Sequence, residues 1–87
     1  MRLYHARESD RPGPLDARDE EECFTVSGRR VGVYLTTEVL SGPTTFAADV
    51  DDAVLEPYEV TADRSVERSF VVPGELVATL GFAGPDG

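Results

Sequence analysis

The apolar residues of this chain occur in short alternating runs that are separated by turn-forming residues. In one such run, Val31, Val33 and Leu35 occupy every second position. This period of two is typical of a β-strand with one buried face. Because each run is short, the sequence predicts a mostly antiparallel sheet of five or six short strands.

The predicted strands lie between loops rich in Gly, Pro, Asp and Ser. They cover residues 1–5, 23–26, 31–36, 44–49, 58–61 and 67–72. Between the second and third strands, Ser27-Gly28-Arg29-Arg30 predicts the turn of a β-hairpin.

Two short helices are predicted to accompany these strands. Asp49 or Asp51 can cap the first helical turn, and Pro57 is expected to end it. The second helix is predicted over residues 73–80, because it begins with proline and Gly81 follows it. Together the elements predict an α+β fold with a small split-barrel-like core.

The chain is long enough for one domain, which we expect to span residues 1–87. Its Val, Leu and Phe residues total 22, and it has no Ile or Trp, so the predicted core is thin. Residues 6–22 contain one Leu among many charges, which predicts an acidic mobile loop with nothing to bury. Residues 82–87 are expected to form a frayed tail.

The charge balance is strongly acidic. Eight Arg and no Lys stand against 17 Asp and Glu, for a formal net charge of −9. Phosphate backbones and anionic membranes would repel such a chain, so we expect no direct binding to nucleic acid or membrane. The acidity fits three interpretations: a surface that docks on a basic protein partner, a surface that mimics nucleic acid toward a basic protein, or a solvated surface, including one adapted to a salt-rich cytoplasm.

The single Cys and single His limit the available chemistry. Cys23 has no second cysteine for an internal disulfide, and Cys23 with His5 cannot supply a common zinc site, so no metal is predicted. No apolar run suggests a signal peptide or a membrane span, which favours a cytoplasmic protein. Short strands also leave sheet edges through which a second copy of the chain could pair.

Three segments resemble, in order, the motif strands of the ADP-ribosyltransferase fold. They are Leu3-Tyr4-His5, Gly32-Val33-Tyr34-Leu35 and Arg68-Ser69-Phe70-Val71-Val72-Pro73. The poly(ADP-ribose) polymerases and the RNA 2′-phosphotransferases belong to this superfamily. The resemblance implies an NAD- or nucleotide-binding domain with reduced or absent ADP-ribosyl transfer.

The resemblance also implies roles for four residues. His5 would hold a ribose hydroxyl of NAD, and Tyr34 would line the nicotinamide pocket. Ser69 stands where the family has a catalytic glutamate, in the wall of the same pocket. Glu67 lies two residues earlier, on the same face of a strand, and would act with His5 in catalysis.

Each of these residues also has a purely structural interpretation. His5 and Tyr34 could be packed side chains, and Glu67 and Ser69 could line the solvent face of a strand. In that case the sequence favours a second function, a non-catalytic acidic interaction protein. Such a protein would act as an antidote, inhibitor or accessory subunit that docks on a basic partner.

Overall fold

A computed structural model describes residues 1–84 and contains five antiparallel strands in one sheet and two short helices. The strands are β1 (Arg2–Ala6), β2 (Glu21–Thr25), β3 (Gly28–Thr36), β4 (Thr45–Asp49) and β5 (Ser69–Val72), and the helices are α1 (Asp52–Leu55) and α2 (Gly74–Val77). The predicted α+β architecture is confirmed, and the sheet is not closed into a barrel.

The long strand β3 organises the sheet. It pairs antiparallel with β1, β2 and β5, while β4 pairs with β1. β2 and β3 form the predicted hairpin, but its turn is Val26-Ser27 and not Ser27-Gly28-Arg29-Arg30, because Gly28, Arg29 and Arg30 already pair with β2. Gly28 has a φ of +100°, a conformation that favours glycine.

The core lies on one face of this sheet and beneath the helices. Leu3 of β1 and Val33 and Leu35 of β3 are fully buried there, as their alternation predicts. Val31 lies on the same face of β3 as Val33 and Leu35 but is exposed. At this position β3 pairs with β2 and extends beyond the core. The predicted buried face of β3 therefore ends at Val33.

Both predicted helices form, with different bounds. The Asp51 carboxylate accepts a hydrogen bond of 3.0 Å from the Ala53 amide and caps α1, as predicted. Pro57 does not end the helical structure, since it lies in a 3₁₀ turn at Glu56–Tyr58 that directly follows α1. Proline lacks an amide hydrogen, which the first turn of a helix does not need.

The strand predicted over residues 58–61 is reduced to a single bridge. Glu59 pairs with Phe70 of β5, and the Val60 amide donates to the Ser69 carbonyl at 2.7 Å. This bridge holds the segment beside β5 without extending the ladder.

The segment between β1 and β2 differs most from expectation. We call residues 7–20 the polar loop. Leu15 in this loop is 1% exposed and belongs to the core, and Ala17–Asp19 form a 3₁₀ turn that packs beside α2. The prediction that this segment has nothing to bury was wrong.

The end of the described chain is also packed. Phe82 is buried, and the amide and carbonyl of Ala83 both bond to Ala47 of β4 at 3.0 Å. The frayed tail expected from residue 82 therefore does not begin there, and its last residues, 85–87, lie outside the described part. Within residues 1–84, no helix has the length and apolar character needed to cross a membrane.

Candidate functional site

His5 lies on the core side of β1, beside Leu3, and is 6% exposed. Its ring Nδ1 is 2.7 Å from the carbonyl oxygen of Tyr34. When Nδ1 carries the proton, this nitrogen donates to the carbonyl and is not free for a ligand. The contact fixes the ring between β1 and β3.

Tyr34 points from the other face of β3. Because Val33 and Leu35 point into the core, the side chain between them must point away from it. The Tyr34 hydroxyl lies 2.8 Å from the Ser69 hydroxyl on the neighbouring strand β5. These two predicted site residues are therefore brought together, with each hydroxyl satisfying the other.

Glu67 lies just before β5. Its carboxylate accepts a hydrogen bond of 3.0 Å from the Thr37 hydroxyl, which in turn accepts one from the Arg68 amide. Thr37 directly follows β3, so the contact joins the ends of two strands. In this arrangement Glu67 stabilises the junction of β3 and β5.

The predicted four-residue site is thus divided between the two faces of the sheet. Tyr34 and Ser69 share one face, whereas His5 points into the other. The alternation in the sequence carried this information: His5 is in step with the buried Leu3, and Tyr34 is out of step with Val33.

Two surface cavities lie on either side of the polar loop. His5, Arg7 and Asp19 line one of about 240 Å³, together with other charged residues of the loop. A larger one, of about 610 Å³, lies among Arg7, Phe46 and the prolines of two loops. Within residues 1–84, the side chains of Tyr34, Ser69 and Glu67 line neither cavity.

The most strongly buried charges are a pair that sequence reasoning missed. Arg7 Nε donates to Asp19 Oδ1 at 2.8 Å, and both side chains are 4% exposed. Arg7 also donates to the carbonyls of Arg11, Gly13 and Pro14, and its guanidinium lies 4.6 Å from the Phe46 ring centre. The Arg7 side chain therefore supplies the hydrogen-bond donors for several backbone carbonyls of the loop.

Asp19 is the matching acceptor. Besides Arg7, it accepts from the Asp16 amide at 3.0 Å and lies 2.9 Å from Arg11 Nη2. Burial alone would raise the pKa of Asp19, but the hydrogen bonds from Arg7 and the Asp16 amide, together with the nearby Arg11 guanidinium, outweigh it and lower that pKa. The carboxylate is held ionised as part of the fold.

A second charged cluster holds β5 to the preceding loop. Arg68 donates to both carboxylate oxygens of Glu59, at 2.9 and 3.0 Å, and to Asp52 at 3.1 Å. Hydrogen bonds from Arg68 and Thr61 lower the pKa of Glu59 to about 2. At this position one arginine is shared by two carboxylates, so Arg68 joins the segment before β5 to the start of α1.

Two further features concern the grouping of metal-ligand side chains and the single thiol of the chain. Among residues 1–84, no three His, Cys, Asp or Glu side chains are grouped as metal ligands. Burial, aided by the charge of Glu21, raises the pKa of the Cys23 thiol, which disfavours the reactive thiolate.

The free charges on the surface are predominantly acidic. The exposed acidic residues that lie outside ion pairs in residues 1–84 are Glu8, Asp10, Glu20, Glu38, Asp51, Glu56, Asp63 and Glu75. The exposed arginines outside ion pairs in the same residues are Arg30 and Arg64. Several other arginines are used inside the fold, which leaves a negative surface.

Comparisons with protein-family models, curated proteins and solved structures found no match to this chain. The functional interpretation therefore depends on the geometry and charge of the residues themselves.

Proposed function

We propose that this protein is a non-catalytic acidic interaction protein that docks on a basic partner, as an antidote, inhibitor or accessory subunit. The observation that carries the proposal is the excess of exposed acidic side chains outside ion pairs over exposed arginines outside ion pairs. Such a surface speeds association with a positively charged protein and disfavours acidic ones.

The arrangement of the charges supports this role. Arg7 and Arg11 turn inward to Asp19, and Arg68 is shared between Glu59 and Asp52. Their positive charges are therefore matched locally. Glu8 and Asp10, at the outer part of the polar loop, remain available to a partner.

The geometry of the four candidate site residues favours a binding role over catalysis. His5 is buried against a backbone carbonyl, and Glu67 accepts a hydrogen bond from Thr37 where the ends of β3 and β5 meet. A base and an acid that act on one substrate must both lie within hydrogen-bond reach of it. These two side chains point into different surroundings.

Affinity capture with two matched baits tests the proposal. One bait carries Glu8→Gln and Asp10→Asn, which removes two carboxylates outside ion pairs. The control carries Asp49→Asn and Asp52→Asn, which removes two exposed carboxylates that already pair with arginines. Both changes alter the net charge equally, so a difference between the baits reports on contact rather than on total charge.

We expect the wild-type chain and the control to capture a basic protein from the native lysate at low salt. The Glu8/Asp10 bait should capture less of it, and salt of about 0.5 M should release the complex. A captured amount that salt does not reduce, or a set of captured proteins that contains no basic protein, would contradict the proposal.

NAD binding within an ADP-ribosyltransferase-like fold is the second candidate function. Two observations favour it: the three resembling segments include β1, β3 and β5, which are neighbours in the sheet, and the Tyr34 and Ser69 hydroxyls are in contact. A ribose or amide could replace one hydroxyl of that pair as a hydrogen-bond partner.

A titration with NAD, followed by two-dimensional NMR of the full chain, separates the two candidates. A pure interaction protein leaves the amide signals of Tyr34, Ser69 and His5 unmoved at millimolar NAD. Saturable shifts centred on Tyr34 and Ser69 would establish a nucleotide site and reject the interaction-only account. The Tyr34→Phe variant, which lacks the hydroxyl, is the control for specificity.

A further inference from the structure

We propose that two copies of this chain pair through the outer edge of β2, in an antiparallel two-fold arrangement centred on Cys23. We use "the hairpin" for residues 21–32. The proposal concerns a surface apart from the acidic one and does not depend on the proposed function.

The first observation is an uncovered apolar face on the hairpin. Phe24 is 81% exposed and Val31 is 59% exposed, although both lie on the face that β3 buries at Val33 and Leu35. An apolar sheet face that extends beyond the core and is exposed to solvent is typical of an interaction surface. A second hairpin alongside would cover part of Phe24 and bring the Phe24 side chain of the second copy within diagonal reach.

The second observation is a strand edge with unused backbone groups. β2 pairs with β3 on one side, and within residues 1–84 no strand pairs with its other side. In this register Glu21, Cys23 and Thr25 exchange hydrogen bonds with β3, so the amides and carbonyls of Glu22 and Phe24 point outward. Lysine, proline and bulges, which commonly block such edges, do not occur in Glu21–Thr25.

The third observation is the local charge. A chain of net charge −9 repels its own copies over most of its surface. In the hairpin, however, Arg29 and Arg30 lie opposite Phe24 and Cys23, and Arg29 pairs with Glu22 at 3.2 Å. The glutamates of β2 are therefore nearly balanced, so two hairpins can approach where other surfaces cannot.

Hydrogen-bond geometry selects the register. If the two-fold axis passes through Cys23, Glu22 lies opposite Phe24 of the second copy, and Phe24 lies opposite its Glu22. The outward-pointing amides and carbonyls of both residue pairs then form hydrogen bonds. Centring on Glu22 would place two glutamates directly opposite each other, which is destabilising. Centring on Phe24 would place Glu22 against the turn residue Val26 and lose a pair.

The Cys23 register makes a chemical prediction. Cys23 then faces its own copy as a pair without backbone hydrogen bonds, with Cα atoms about 4.5 Å apart. That separation lies within the range that a disulfide spans. Diamide should therefore link the copies: each thiol gives up one proton and one electron, the S–S bond forms, and diamide takes up both hydrogens to become its hydrazine.

Sedimentation equilibrium of the reduced full chain, from micromolar to millimolar concentration, tests the pairing. We expect a reversible monomer–dimer equilibrium. Phe24→Asp should raise its dissociation constant about tenfold or more, because an aromatic contact is lost and a charge is added. Val66→Asp is the matched control, since Val66 is 94% exposed and lies outside the hairpin, and it should change the constant by less than about twofold.

Diamide cross-linking of the same three proteins tests the register. Wild type and Val66→Asp should give a covalent dimer that a thiol reductant reverses, and Phe24→Asp should give much less. A chain that stays monomeric at millimolar concentration, or a dimer that Phe24→Asp leaves intact, would overturn the pairing. A dimer that depends on Phe24 but forms no disulfide would overturn the Cys23-centred arrangement.

Discussion

The polar loop and the hairpin are adjacent in the chain, and each departs from the rule that charged residues are exposed and apolar residues are buried. The loop is rich in charge, yet it carries the fully buried Leu15 and the buried pair of Arg7 and Asp19. The hairpin is regular β-structure, yet Phe24 and Val31 are exposed. In this small protein, hydrogen bonds from Arg7 order the loop, while the apolar side chains of Phe24 and Val31 remain on the surface.

The difference teaches where each region's stability originates. The loop depends on side chains, because the Arg7 guanidinium joins the end of β1 to carbonyls and a carboxylate of the loop, and Leu15 packs in the core. The hairpin depends on backbone pairing across a tight turn. We therefore expect substitutions in the loop to affect the whole fold and those in the hairpin to affect association.

The largest effect is expected from Arg7→Met. Removing the guanidinium leaves Asp19 buried without its main partner, and we expect the free energy of unfolding to fall by about 3–5 kcal/mol. Urea denaturation measures it. Arg18→Met is the control. Arg18 pairs with Asp16 on the surface, where an ion pair contributes little to stability, so this substitution should lower the unfolding free energy far less than Arg7→Met. Equal losses in the two variants would contradict the role given to Arg7.

A pair of apolar truncations separates the two regions next. Leu15→Ala should destabilise the protein by about 2–5 kcal/mol, since it leaves a cavity in the core. Phe24→Ala should change the unfolding free energy of the monomer by less than about 0.5 kcal/mol, because the side chain is exposed. Denaturation at low protein concentration keeps association out of the comparison. A larger loss of unfolding free energy for Phe24→Ala than for Leu15→Ala would contradict this account of the two regions.

The smallest expected effect is the response to acid. Hydrogen bonds from Arg18 lower the pKa of Asp16 to about 2, and those from Arg68 and Thr61 lower that of Glu59 to about 2. Lowered pKa values stabilise the fold above pH 4, and this contribution is lost as the pH falls from about 4 to about 2. Unfolding free energies measured across that interval should decline.

Glu59→Gln provides the check on that decline. It removes one of the titrating groups, so the dependence of stability on pH should become shallower than in wild type. Glu56→Gln is the control, because Glu56 lies outside any ion pair in residues 1–84 and should leave the slope unchanged. An identical slope in all three proteins would show that the Glu59–Arg68 contact does not contribute.

Local patterns predicted most of the fold. Alternation located β1, β3 and β4, and Asp51 was among the predicted caps. The turn residues located the hairpin, although its turn begins one residue earlier than predicted and is only two residues long. Each of these depends on residues close together in the chain. The pair of Arg7 and Asp19 could not be predicted in this way, because no local pattern shows which of eight arginines folds inward.

The candidate site was less predictable than the fold. Motif order located the strands that carry His5, Tyr34 and Ser69, and the contact between Tyr34 and Ser69 depends on the pairing of β3 with β5. Whether His5 could join them depends on which face of the sheet each side chain occupies. The alternation beside Leu3 and Val33 contained that answer, but a motif match compares residue types and ignores direction.

Hydrogen–deuterium exchange at two protein concentrations tests the contrast between the polar loop and the hairpin most directly. We predict that the Arg7 amide, which donates to the Thr44 carbonyl at 3.0 Å, exchanges slowly at both concentrations. The amides of Glu22 and Phe24 should exchange rapidly in dilute protein and slowly in concentrated protein. Rapid exchange at Arg7, or exchange at Glu22 and Phe24 that does not change with concentration, would contradict the account.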